Sequence, residues 1–213
     1  MNFFLKLFTI TAILILPVSS ETIEVFKFTE SEFQELKVRK VKGKTKWTLG
    51  TNKNGNFIKA VAEGAGSGLG KEILINLNKT PYINITWKVE KDLSGIIENS
   101  KKGHDFAARV FVVKKTGSTA LSNRAVNYVF SSNNSVGASW RSPYTKKSID
   151  YVLATTVDYD NQWVSVKANV KEDFKKLHDL EVDELNGVAI MTDTDNSGQK
   201  AIAYYQNIYF SAQ

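Results

Sequence analysis

Residues 187–210 read GVAIMTDTDNSGQKAIAYYQNIYF, and their alternation limits the fold more than any other stretch of the chain. Val188, Ile190 and Thr192 alternate with Ala189 and Met191; past a polar tip, Ile202, Tyr204, Ile208 and Phe210 alternate with Ala203, Tyr205, Asn207 and Tyr209. Period two sends successive side chains to opposite faces, so both runs are strands. The tip, Asp193-Thr194-Asp195-Asn196-Ser197-Gly198, holds two carboxylates, a carboxamide and a glycine. That composition suits a short hairpin turn whose Asp and Asn side chains cap backbone N–H groups. It equally suits an oxygen-lined cation site.

The same period recurs upstream. In residues 83–89 Ile83, Ile85, Trp87 and Val89 form one apolar face, with Trp87 as a core anchor, and shorter runs follow at 107–113, 125–130, 137–140, 151–156 and 163–168. Residues 23–36 suggest a strand entering a polar, helix-compatible turn. Residues 171–180, KEDFKKLHDL, space Phe174, Leu177 and Leu180 three apart and form the best helix. Many short strands between turn-rich stretches indicate an all-β sandwich or barrel. In residues 38–49, Lys40, Lys42, Lys44 and Lys46 share one parity, which fits either a basic rail beside Trp47 or an edge strand protected from pairing by its lysines. The glycine-rich GAGSGLGK of residues 64–71 is not a phosphate loop. Ala65 stands where the first glycine belongs, and Glu72 where Ser or Thr belongs.

Residues 1–20 carry Lys6, an apolar run from Leu7 to Val18, and small residues ending at Ser20. This is a secretory signal pattern, too short for a membrane anchor, which leaves residues 21–213 as one domain. Cysteine is absent, excluding disulfides and thiolate chemistry. A cysteine-free exported chain fits the bacterial periplasm or the extracellular space. Removing Lys6 leaves a net charge one unit below the +6 of the full sequence, a mild excess suited to anionic envelope partners.

Four stretches together resemble the bacterial family catalogued as domain of unknown function 3047: DFAARVFVV (105–113), NYVF (127–130), WRSPYT (140–145), and VAIMTDTDN with AYYQNI (188–196 and 203–208). The resemblance implies an exported jelly-roll, galactose-binding-like β-sandwich, similar to carbohydrate-binding modules, and implies no reaction. His104 stands where the family usually has an acid before Asp105.

The candidate chemistry is therefore weighted toward binding. Arg109, inside the apolar run 107–113, needs a carboxylate partner, and the acidic tip would supply one if the two strands are neighbours. Trp140, Tyr144, Tyr128 and Trp163 offer rings to a sugar, while Asp193, Asp195 and Asn196 offer polar grips. Asp193, Asp195, Ser197 and Gly198 match the first, third, fifth and sixth places of a calcium loop, but Tyr204 fills the twelfth. Asp193 and Asp195 are thus a candidate calcium pair, and no other cofactor is implied. His104 and His178 read as surface residues. The leading expectation is a non-catalytic module for a carbohydrate or another envelope component. The alternatives are a polysaccharide hydrolase using Asp193, Asp195 and a converging Asp105, and an assembly factor binding another envelope protein. Nucleic acid is not an expected partner. Intact-mass measurement of the exported protein is expected to place its first residue at Glu21; retention of residues 1–20 would overturn the signal assignment.

Overall fold

The computed structural model describes residues 21–119 and 122–213; the expected signal segment lies outside the described residues. The strands are β1 (Thr22–Phe26), β2 (Lys37–Lys42), β3 (Lys46–Asn52), β4 (Gly55–Glu63), β5 (Gly66–Asn76), β6 (Tyr82–Lys91), β7 (Phe106–Lys114), β8 (Arg124–Ser131), β9 (Ser139–Arg141), β10 (Ser148–Thr155), β11 (Val164–Asn169), β12 (Glu184–Asp193) and β13 (Lys200–Ser211), with helices α1 (Glu30–Glu35) and α2 (Val170–His178). They form two facing sheets. The first runs β11-β6-β13-β4-β3, with β1 also on β13; the second runs β2-β5-β12-β7-β8-β10-β9. Pairing is antiparallel except between β8 and β10.

The alternating residues fill the space between the sheets. Trp87 of the first sheet and Phe130 of the second meet at 5.5 Å between ring centroids, both sealed from solvent. Tyr205 crosses the sandwich from β13. Its hydroxyl donates to the Met191 carbonyl on β12 (2.6 Å), lies 2.9 Å from Thr192 Oγ1, and accepts from the Arg109 N–H on β7 (3.3 Å). A single phenol thus ties the centre strand of one sheet to two strands of the other.

Two expectations are corrected. Residues 187–210 are not a hairpin, because β12 belongs to the second sheet and β13 to the first; the polar tip is an arch between sheets. The lysines do not form one rail, since the chain turns at Gly43 (φ 63°), leaving Lys40 and Lys42 on β2 and Lys46 on β3. Both β2 and β3 are edge strands of their sheets, which is the alternative reading of those lysines. Trp47 packs against Tyr205 at 6.2 Å, at the core.

Two helices replace the single one expected. In α1, Thr29 accepts from the Glu32 N–H (3.3 Å), and Glu32 reaches back to the N–H groups of Lys27 (2.7 Å) and Phe28 (2.9 Å). The Thr29-x-x-Glu32 spacing is that of a capping box, with Glu32 holding the two N–H groups that precede Thr29 in place of Thr29's own. In α2, Asn169 caps Glu172 (3.2 Å), acids occupy the first turn and bases the last, as the helix dipole favours.

Truncating Trp87 to alanine is expected to cost about 3–5 kcal/mol, read by chemical denaturation at unchanged m-value. A loss below about 1 kcal/mol would show that the ring is not the core anchor.

Candidate functional site

The arch of residues 194–199 meets three other crossings at one end of the sandwich. Thr194 N–H donates to the Ala65 carbonyl (2.9 Å) and Gly64 N–H to the Gln199 carbonyl (3.0 Å), joining it to the β4–β5 crossing. Thr45, in the β2–β3 crossing, donates through Oγ1 to the Thr192 carbonyl (2.9 Å), while Lys42 Nζ reaches the Asp195 carbonyl (3.2 Å). The Gln199 side chain bonds both N–H and C=O of Ser94 (3.0 and 2.8 Å), in the β6–β7 crossing.

A register shift aims the charged groups here. Met191 pairs with Arg109 but Asp193 pairs with Phe106, so β7 spends three residues where β12 spends two. Phe106 and Arg109, three apart, would lie on opposite faces of a regular strand. The bulge puts both on the outer face of the second sheet, where the guanidinium sits 5.2 Å from the Phe106 ring centroid and 5.3 Å from that of Phe111. Arg109 Nη2 donates to Asp193 Oδ2, and both side chains are buried. The acidic arch is therefore the partner that Arg109 needs.

Asp105 and Asp195 complete the cluster: one carboxylate oxygen from each of Asp105, Asp193 and Asp195 lies within 4.8 Å of the others. Asp105 Oδ1 accepts from Asn196 Nδ2 (2.8 Å) and its N–H (3.2 Å), while Oδ2 accepts from Ser197 N–H (2.6 Å). Asp193 Oδ1 accepts from the Phe106 N–H (3.4 Å). Gly66 forms the floor, where an added Cβ would stand 2.5 Å from Asp195 Oδ1. Burial first, then the Asp105 and Asp195 charges, push the Asp193 carboxyl up to about 7 against the pull of Arg109. A cation at this site would compete with Arg109 and with the N–H donors that already hold Asp105 and Asp193.

Aromatic rings flank the cluster. Tyr144, exposed, donates through its hydroxyl to Asn196 Oδ1 and lies 2.9 Å from the Lys101 carbonyl. Burial and then the three carboxylates push its phenol up, keeping it a donor. Half-buried Trp140 stacks on Phe106 at 6.4 Å. Arg109, Trp140, Tyr144, Asp193, Asp195 and Asn196 thus share one corner. Tyr128 does not. It is sealed in the core with its hydroxyl on Asp173 Oδ2 (2.7 Å), so no ligand reaches it, a correction that follows from its inward parity on β8. His104 is also corrected: it is buried, with Nε2 2.8 Å from Asp150 Oδ2 and its ring 5.6 Å from Tyr144. Asn127 Nδ2 holds the other Asp150 oxygen at 2.8 Å. Sequence reasoning missed this network, because Asp150 and Asn127 become neighbours only through the parallel β8–β10 register.

The two-sheet architecture defines a jelly-roll sandwich of the kind found in carbohydrate-binding modules. It is similar to the family 30 carbohydrate-binding module of the cellulosomal cellulase Cel9D-Cel44B of Clostridium thermocellum, with TM-score 0.53, 8% identity, and coverage of 91% of this chain and 98% of that one. It is also similar to the family 11 module of the same organism, solved with a β-1,3-1,4-mixed-linked tetrasaccharide, with TM-score 0.48, 9% identity, and coverage of 89% and 94%. At these identities the likeness is one of fold. The chain belongs to the family described as protein of unknown function DUF3047, whose model matches residues 31–209. No curated protein matches it in sequence.

Asp193→Ala is expected to cost about 3–5 kcal/mol, because it strands a buried guanidinium. Asp193→Asn keeps an acceptor and costs less, but it also removes a titration. The folded carboxyl holds its proton up to about 7, while an unperturbed one releases it near 3.8, so the folded state carries the extra proton between those values. This group's contribution therefore declines as pH rises through that window, by at most about 1.4 kcal/mol per pH unit. The stability gap between parent and Asp193→Asn should shrink from pH 5 to pH 8, and a gap independent of pH would refute the assignment. Chelator is expected to leave the parent's melting temperature unchanged. A calcium-dependent rise that Asp195→Asn lacks would instead place a cation in the cluster.

Proposed function

We propose that the protein is an exported, non-catalytic binding module for a carbohydrate or another component of the cell envelope. The observation that carries this reading is the condition of its acidic cluster. Asp105 and Asp193 are buried and engaged by Arg109 and by backbone and Asn196 N–H groups. A hydrolase that works by paired carboxylates needs both beside the scissile bond, one to donate a proton and one to attack or to activate water. Here the cluster serves as a lock that holds four crossings together. The sandwich shared with a carbohydrate-binding module supports the ligand class, and the positive charge of the chain, with a pI of about 9.3, supports an anionic envelope component. Calcium enters this reading only as an occupant of the carboxylate cluster.

The purified protein is expected to be retarded in a native gel containing an envelope glycan or an acidic polysaccharide, with the chain length of the polymer unchanged. Release of shorter sugars, abolished by Asp195→Asn, would move it to the hydrolases. Absence of retention on every glycan, with capture of a defined envelope protein, would favour the assembly-factor alternative.

A further inference from the structure

The outer face of the first sheet carries a set of groups that the acidic corner does not use. Alternation along β6 turns Ile83, Ile85, Trp87 and Val89 into the core and Tyr82, Asn84, Thr86 and Lys88 outward. On the same face, Phe57 of β4, Tyr204 of β13 and Trp163, immediately before β11, form a triangle. The centroid distances are 5.7 Å (Phe57–Tyr204), 6.1 Å (Phe57–Trp163) and 5.9 Å (Trp163–Tyr204), with interplanar angles of 62°, 63° and 60°. Trp163 is among the exposed large side chains. The Phe57 ring sits over Gly50, where a Cβ would fall 2.4 Å from it, so the glycine is what makes room for the ring on the sheet.

Cations surround these rings. Lys59 and Lys88 hold their ammonium groups 5.1 and 5.3 Å from the Tyr204 centroid, and Lys167 lies 5.2 Å from that of Tyr82. The acid Glu90 is engaged by Tyr204 Oη and lies 3.8 Å from Lys59, which leaves Lys88 and Lys167 as surplus charge among the described residues. Further along β6 a groove of about 310 Å³ is lined by Asn84, Thr86, Ser165, Lys167, Asn207 and Tyr209 among others. Hydroxyls, carboxamides and an ammonium thus continue the aromatic platform. The stretch from Tyr82 to Lys88 spans about 20 Å of extended strand.

We propose that this face, with Trp163 and Tyr204 as stacking surfaces and Lys59, Lys88 and Lys167 as charge partners, is where the protein binds an acidic glycan chain. The assignment rests on the binding-module reading and adds to it a location and a charge class. Sugar rings present C–H faces that pack on aromatic surfaces, their hydroxyls pair with the Asn, Thr and Ser row, and carboxylate substituents meet lysines that have no full set of acids. A neutral glycan would leave that surplus charge unanswered.

The test uses the purified protein and its variants in affinity gels containing polygalacturonate or a neutral galactan. The parent should be retarded by polygalacturonate, more strongly at low than at high salt, and less by galactan. Trp163→Ala, a change at an exposed ring, should weaken polygalacturonate binding about fivefold to tenfold without lowering the melting temperature. The double variant Lys88→Gln/Lys167→Gln should remove the preference for the acidic polymer. Full retention by Trp163→Ala and Tyr204→Ala, with loss in Tyr144→Ala, would place the ligand at the acidic corner, overturning this assignment while the binding-module reading stands. Equal binding of both polymers would overturn the charge class, and tighter binding of a single-stranded oligonucleotide would overturn the glycan. No retention of any glycan by the parent would remove the binding-module reading and this assignment with it.

Discussion

A guanidinium withdrawn from water costs several kcal/mol unless a carboxylate meets it, and Arg109 sits on an inner strand of the second sheet with little solvent access. Its partner, Asp193, is the last residue of β12, at the point where the chain leaves that sheet for the other. The requirement for this contact therefore fixes where the arch begins. It also fixes the bulge, since a regular β7 would send Phe106 to the wrong face. Once Asp193 is placed, Thr194 to Gln199 are bound to every neighbouring crossing. The pair's value is positional more than energetic, because attraction in such a buried pair is largely offset by desolvation.

The two outer faces differ in consequence. On the second sheet Phe106, Val129 and Val152 form a small second core, covered by Ala138 and Trp140, and beyond it the Asp105 and Asp193 carboxylates are occupied. On the first sheet, among the described residues, no second core of this kind forms over the outward side chains. A sandwich can present either face to a ligand, and here one has been spent on holding the crossings. That leaves the other with rings and cations at its surface.

Much of this was legible in the sequence, and the failures have physical causes. Period two located the strands because alternation records which side chains meet the core: the outward and inward sets of β6 are those read from residues 83–89. The Arg109–Asp193 pair was legible because a lone charge in an apolar run has few solutions. Whether two successive strands pair with each other or separate into facing sheets was not legible, since a polar linker of about six residues serves a turn or an arch equally well. The same limit hid the division of residues 38–49 between two edges. Tyr128 misled because an aromatic on a strand reads alike on either face, and its inward direction is set by register. The Phe57–Tyr204–Trp163 triangle draws one residue from each of three distant segments, so no local pattern announces it.

The sheet orders also set when the molecule can come into being. β12 lies between β5 and β7, and β13 between β6 and β4, so the two strands latest in sequence are central in both sheets. Until those two strands have been made, β5 and β7 in one sheet and β4 and β6 in the other lack the strand that joins them, and most of the eventual contacts span long stretches of chain, the kind that forms slowly. A nascent chain can therefore pair hairpins such as β3–β4 and β7–β8 but leaves edges open until the last two strands arrive. Such open edges are exposed to aggregation for as long as they wait.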